Sequence, residues 1–131
     1  MEDQGFYVTV NSTSKNQRIL SSCIPQSLIA KDLNYEIGLD RINITTNKKK
    51  CTLQILCPQL ESLSLVDDKL VPILRFIDMK QLTWSYNFTK VHYFKLNAIN
   101  YIDFLIQPSK FDCEGLQVDK ISITVHIRPS F

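Results

Sequence analysis

The C-terminal stretch Ile121-Ser122-Ile123-Thr124-Val125-His126-Ile127-Arg128 alternates apolar and polar residues at every step. A period of two belongs to extended chain whose side chains point to opposite faces, so this stretch reads as a strand with one dry face and one wet face. The same rhythm recurs upstream in Phe6, Val8 and Val10, in Tyr35, Ile37 and Leu39, in Leu82, Trp84, Tyr86 and Phe88, and in Ile102, Phe104 and Ile106. After Leu39 the pattern resumes at Ile42 and Ile44 with its parity reversed, which one bulge explains. Cys51, Leu53, Ile55 and Cys57 form a further inner face. With the polar tip Asn47-Lys48-Lys49-Lys50 before them, they suggest a hairpin.

Shorter signals fill the gaps. Arg18 to Ile24 reads as a strand closed by Pro25, and Leu28 to Leu33 fits a helical turn or a strand edge equally. Leu63 to Leu65 and Leu70 to Ile77 flank the acidic turn Val66-Asp67-Asp68. Pro72 has no N–H for a ladder, so it belongs at a sheet edge or bulge. Val91 to Leu96 is a last short strand, and Asn11 to Gln17 and Gln107 to Glu114 are polar loops.

Composition agrees with the pattern. The 131 residues contain 15 Ile and 15 Leu against 2 Ala and 4 Glu, a poor recipe for helices and a good one for strands. About eight short strands with frequent turn signals predict an all-β, antiparallel sandwich, a single jelly roll spanning 1–131. A five-stranded oligonucleotide-binding barrel would leave strands unused, and three Gly leave no phosphate loop.

Little in the sequence points to catalysis or a cofactor. The net charge of +2 is too small to mark a nucleic-acid-binding face. His92 and His126 sit in no catalytic motif and read as exposed or hydrogen-bonded structural histidines. Cys23, Cys51, Cys57 and Cys113 lack zinc-site spacing and read as buried, reduced thiols; six residues of strand hold Cys51 and Cys57 too far apart to bond. Asp67-Asp68, and Asp112 with Glu114, read as turn chemistry rather than a calcium site. No metal and no cofactor is expected. No apolar run is long enough for a membrane helix. The acidic start Met1-Glu2-Asp3-Gln4 is unlike a signal peptide, so the chain is expected to stay inside the cell that makes it, with the sequons at Asn11, Asn43 and Asn87 unused.

Two features invite a binding role. Trp84, Tyr86 and Phe88, with Lys80, Lys90 and Lys95 around them, have the make-up of a stacking platform for single-stranded nucleic acid. The competing and preferred reading makes these rings the inner face of a sandwich sheet. Lys48 to Lys50 reads as a solvated tip. Arg75, inside an apolar run, calls for a carboxylate partner in its own subunit or a neighbour.

The order of the segments resembles a known family. Phe6-Tyr7-Val8-Thr9-Val10, a polar loop, Ile24-Pro25 and Tyr35-Glu36-Ile37-Gly38-Leu39 are similar to the start of the penton-type minor capsid proteins of Polinton (Maverick) elements and adintoviruses. Those open with Phe-Tyr-Val-Thr-Leu and later carry Leu-Pro and Trp-Glu-Val-Gly-Leu. Pro72-Ile73-Leu74-Arg75 is similar to that family's Pro-Leu-Leu-Arg, His92-Tyr93 to its His-Tyr pair, and Val125-His126-Ile127-Arg128-Pro129 to its closing Leu-His-Phe-Arg. Tyr35 stands where the family has Trp, and the long middle segment of the family is missing.

The resemblance implies a non-enzymatic virion protein: a jelly roll that forms a homo-oligomeric ring, pentameric at five-fold vertices, beside a major capsid protein. It implies a place in the virion after synthesis in the host cytoplasm or nucleus, and no membrane partner. A trimeric vertex spike is a variant within this class. Arg75, His92, Tyr93 and Arg128, which lie in the matching segments, become the candidate interface residues. An intracellular nucleic-acid-binding barrel using Trp84, Tyr86, Phe88 and Lys90 is the alternative from another class.

Overall fold

In the computed structural model, which describes residues 5–30, 32–97, 99–108 and 114–130, the alternating segments become strands. They are β1 (Phe6–Asn11), β2 (Ile19–Cys23), β3 (Asn34–Thr46), β4 (Cys51–Leu56), β5 (Ser64–Val66), β6 (Lys69–Val71), β7 (Ile73–Met79), β8 (Thr83–Asn87), β9 (Tyr93–Lys95), β10 (Tyr101–Pro108) and β11 (Val118–Ser130). One 3-10 turn, Gln26–Leu28, begins just before the ambiguous stretch 28–33.

Sheet I has the order β1-β11-β3-β8, with β9 beside β3 beyond the end of β8. Sheet II has the order β2-β10-β4-β7, and β5 pairs only with β6. With β5, β6 and β9 set aside, the first strand pairs with the last, the second with the next to last, and so on inward: β1–β11, β2–β10, β3–β8 and β4–β7. All pairs are antiparallel. This is a long hairpin rolled up on itself, and it is the topology of a jelly roll.

The inner faces follow the alternation. Ile37, Leu39, Ile42 and Ile44 of β3 and Ile121, Ile123, Val125 and Ile127 of β11 meet Leu53 and Ile55 of β4 and Ile102, Phe104 and Ile106 of β10. Each such side chain removed from water contributes about 1.5–3 kcal/mol. The reversal of parity in β3 is a bulge at Asp40, which lies between Leu39 and Arg41 where the register against β11 shifts.

The segment Asn47–Lys50 departs from expectation. It is not a hairpin tip, because β3 belongs to sheet I and β4 to sheet II, so the chain crosses the sandwich there. Asn47 ties the crossing to the start of β11: its Nδ2 donates to the Gly115 carbonyl at 3.1 Å and its Oδ1 accepts from the Gln117 N–H at 2.7 Å. The hairpin lies further on, at β5–β6. Its two-residue turn puts Asp67 (φ 50°) and Asp68 (φ 66°) in the left-handed region, which matches the twist of an antiparallel pair.

Behind sheet II, Gln59 is buried and fully used. Its Oε1 accepts from the Asp103 N–H (2.9 Å), its Nε2 donates to Asp103 Oδ2 (3.0 Å), and its carbonyl accepts from the Asn97 N–H (2.7 Å). The Cys57 thiol donates to the same Oε1 at 3.6 Å. Burial pushes the Cys57 pKa up to about 12. Among the described cysteines the reduced, buried reading holds for Cys57 alone. Cys23 is free but exposed, Cys51 is disulfide-bonded, and Cys113 lies outside the described residues, as does Asp112.

Candidate assembly surfaces

The outer face of sheet I is a set of rows running across the strands. One row is Tyr7, His126, Gly38 and Tyr93, contributed by β1, β11, β3 and β9. Gly38 leaves a gap in the row, and Tyr93 reaches across it to place its hydroxyl 2.7 Å from His126 Nδ1. A Cβ on residue 38 would run into Val91 Cγ1 and sit 2.9 Å from the His92 carbonyl oxygen, so the chain before β9 can lie this close only over glycine. Tyr7 covers His126 from the other side, with ring centroids 4.6 Å apart. His126 is therefore outward on its strand, as the alternation says, yet only 4% exposed. It is a hydrogen-bonded structural histidine.

The next row is Arg128, Glu36 and Lys95. Arg128 Nε donates to Glu36 Oε2 at 2.6 Å while its guanidinium lies 3.5 Å from the centre of the Tyr93 ring. Further along the face, Thr9 and Thr124 share a hydrogen bond of 2.9 Å, the Ser85 hydroxyl donates to Asn43, and Thr45 and Thr83 are paired at 3.4 Å. The polar side chains of this face largely satisfy one another.

The outer face of sheet II is different. Ser21 donates to Asp103 and Thr52 to Asp78, but between these pairs lies a row of Ile19, Leu105 and Leu56, then Phe76 beside Gln54. Ile19 and Phe76 are exposed. The β5–β6 flap bears Leu63, Leu65 and Leu70, all exposed.

A groove of about 430 Å³ opens where the two sheets end in β7 and β8, walled by Phe76, Trp84, Tyr86 and Phe88 with Arg75, Asp78 and Lys80 along it. The aromatic stripe is thus only partly core. Phe88 is 8% exposed, Trp84 is half-buried and Tyr86 is 44% exposed, because β8 is an edge strand with no neighbour beyond it. Trp84 and Tyr86 stand 6.2 Å apart, and Tyr86 meets Phe88 edge-on at 4.7 Å. Arg75 stacks 4.0 Å above Phe88 and donates to the Lys90 carbonyl at 3.3 Å, so a ring and a backbone oxygen take the place of the expected carboxylate.

The candidate interface residues therefore divide. Tyr93 and Arg128 belong to one cluster on sheet I, with exposed His92 next to it. Arg75 belongs to the groove with Trp84, Tyr86 and Phe88 of the alternative platform, while Lys90 joins it only through its carbonyl. Sequence reasoning passed over Tyr7 and Glu36 as site residues and over the exposed leucines of the flap. The signal for Tyr7 and Glu36 was their outward parity opposite His126 and Arg128. Among the described residues no group of His, Cys, Asp and Glu is placed to hold a metal ion, and no helix is long and apolar enough to cross a membrane.

A solved structure shares this architecture. The mavirus penton protein superposes with a TM-score of 0.64, covering 98% of this chain and 100% of its own, at 7% sequence identity. The two have the same fold. A carbohydrate-binding domain of a multidomain xylanase from the hindgut metagenome of Trinervitermes trinervoides reaches a TM-score of 0.44 at 6% identity, covering 93% of this chain and 96% of its own. Tomato aspermy virus gives 0.26 at 10% identity, over 95% and 79%. No family model and no curated protein sequence matches the chain.

Proposed function

We propose that this chain is a non-enzymatic capsid subunit of penton type, which assembles into a ring at capsid vertices beside a major capsid protein. The observation that carries the reading is the full-length jelly roll in common with a penton protein. The ordered segment matches, from Phe6-Tyr7-Val8-Thr9-Val10 to Val125-His126-Ile127-Arg128-Pro129, add to it and favour the Polinton and adintovirus family. A ring needs two different patches that recognise each other. The lateral edges of the sandwich, β1 and β2 on one side and β7 and β8 on the other, supply distinct surfaces that would otherwise remain open to further strand pairing. The work of such a protein is assembly, and the locked polar face of sheet I suits a subunit that must present a fixed shape.

Sedimentation velocity of the purified chain, paired with a single-stranded DNA titration at two salt concentrations, tests this. The expected result is a defined ring oligomer, whose mass separates five subunits from the three of a vertex spike, and no steep salt-dependent DNA binding. A monomer that binds DNA with a steep salt slope overturns the reading in favour of the Trp84, Tyr86, Phe88 and Lys90 platform.

A further inference from the structure

The flap and the groove are both apolar and carry opposite charges at their margins. β5 and β6 face sheet II across a small cavity lined by half-buried Val66 and Val71, Asp67 and Lys69 on the flap and by Gln54, Gln107 and Pro108 on the sheet. Their other side turns away from the sandwich and presents Leu65 and Leu70, a cross-strand pair 70% and 64% exposed. A neighbouring pair of leucines this exposed is poorly placed for a chain that works alone. The tip of the flap carries Asp67 and Asp68, both exposed, followed by exposed Lys69, so it is acidic by one charge; Asp67 lines the cavity facing sheet II, which leaves Asp68 as the outward acid.

The groove between β7 and β8 offers the counterpart. Its walls are aromatic and its rim carries Arg75 and Lys80, with exposed Lys90 next to it, its carbonyl accepting a hydrogen bond from Arg75. The acid within it, Asp78, accepts a hydrogen bond of 2.9 Å from Thr52. The flap of the same chain lies elsewhere, over sheet II with its leucines facing out.

We infer that the Leu65–Leu70 ridge of one copy docks in the aromatic groove of a second copy, with Asp68 set against the basic rim of Arg75 and Lys80 and neighbouring Lys90. The contact is head to tail, so each copy uses its flap on one neighbour and its groove on the other. Seating the ridge there also covers the open edges of β7 and β8. This rests on the assembly reading above and specifies which surfaces do the assembling.

The test uses the full chain in sedimentation velocity, with Leu65→Ser/Leu70→Ser as the flap variant and Lys80→Glu/Lys90→Glu as the groove variant. Each alone is expected to lose at least tenfold in self-association and run as monomer where the wild type assembles. An equimolar mixture is expected to give a heterodimer, because the intact groove of one meets the intact flap of the other and no further joint can form. Thermal melting matched to wild type shows that each variant is folded. If the flap variant is not, Asp67→Asn/Asp68→Asn keeps the left-handed turn while removing its charge, and takes its place. Rings that persist in either variant overturn this contact and leave the assembly reading standing. Monomeric variants whose mixture gives no heterodimer overturn the pairing of flap with groove. A wild type that stays monomeric at every concentration overturns both.

Discussion

The two outer faces of the sandwich are built from the same alternating pattern and finish in opposite states. On sheet I the outward residues close on one another: Tyr93 with His126, Arg128 with Glu36, Thr9 with Thr124 and Ser85 with Asn43. On sheet II the outward positions include Ile19, Phe76 and a flap whose leucines face solvent. A polar face whose donors and acceptors are already used gains little from a partner, whereas exposed apolar area gains about 25 cal/mol for each Å² covered. On the assembly reading, the difference gives rigidity to sheet I and recognition to sheet II and the groove beside it.

The largest expected contrast lies within sheet II itself. Cys23 is exposed at the end of β2, while Cys57 lies buried in the core just after β4. The Cys57 pKa, raised from 9.0 to about 12, cuts the thiolate available at pH 8 by roughly a thousandfold relative to an ordinary thiol, before access is counted. Alkylation followed by peptide mass mapping should label Cys23 quickly and Cys57 only on unfolding. The same shift carries a pH dependence. A folded pKa above the unfolded one contributes stability that is whole below pH 9 and is lost as pH rises toward 12. Comparing denaturation midpoints of wild type and Cys57→Ala across that window isolates it: the wild type should fall more steeply, and parallel slopes would contradict the burial.

Substitutions on the two faces should differ next. His126→Ala removes a buried ring packed against Tyr7 and Tyr93 together with its hydrogen bond to the Tyr93 hydroxyl, a cost of about 2–4 kcal/mol. Leu65→Ser on the flap should stay within about 0.5 kcal/mol at concentrations where the chain is monomeric, since in a lone subunit that side chain faces solvent. Urea midpoints of the two variants test the assignment, and equal losses would erase the distinction between a locked face and an open one. Gly38→Ala stands between them at about 1–3 kcal/mol, because its methyl collides with Val91 and crowds the His92 carbonyl.

How much of this was legible in the sequence depended on which neighbour a residue answers to. The inner faces were readable because every inward residue meets the same apolar core, whichever strand lies opposite. That is also why Asn47–Lys50 misled: Cys51 and Leu53 point inward equally well whether β4 pairs with β3 in one sheet or faces it across the sandwich. The reversed parity in β3 was legible because a bulge shifts the pattern in the strand's own residues. The closure over His126 was not, because it depends on Tyr7 and Tyr93, which come from strands far apart in the chain. Trp84 and Tyr86 carry an inner-face pattern, but β8 is an edge, and edge position is a property of the whole topology. The disulfide at Cys51 left no local mark at all.

The two arginines give the finest version of the contrast. Arg128 holds both a carboxylate and a ring, while Arg75 holds a ring and a backbone carbonyl. Arg128 is partly exposed, so its ion pair with Glu36 is worth no more than about 0.5–1 kcal/mol, with a similar amount from Tyr93. Arg128→Met should therefore cost about 1–1.5 kcal/mol, and Arg75→Met about half that. Salt separates them further. Raising ionic strength toward 1 M shortens the screening length to about 3 Å and weakens the exposed ion pair, so the gap between wild type and Arg128→Met should narrow. Arg75 has no acid to screen among its described contacts, and its gap should hold nearly constant. Its larger effect should appear in self-association, because Arg75 lies along the groove wall where a second copy would dock. If Arg128→Met weakens assembly more than Arg75→Met does, recognition belongs to sheet I and the division of labour between the faces is reversed.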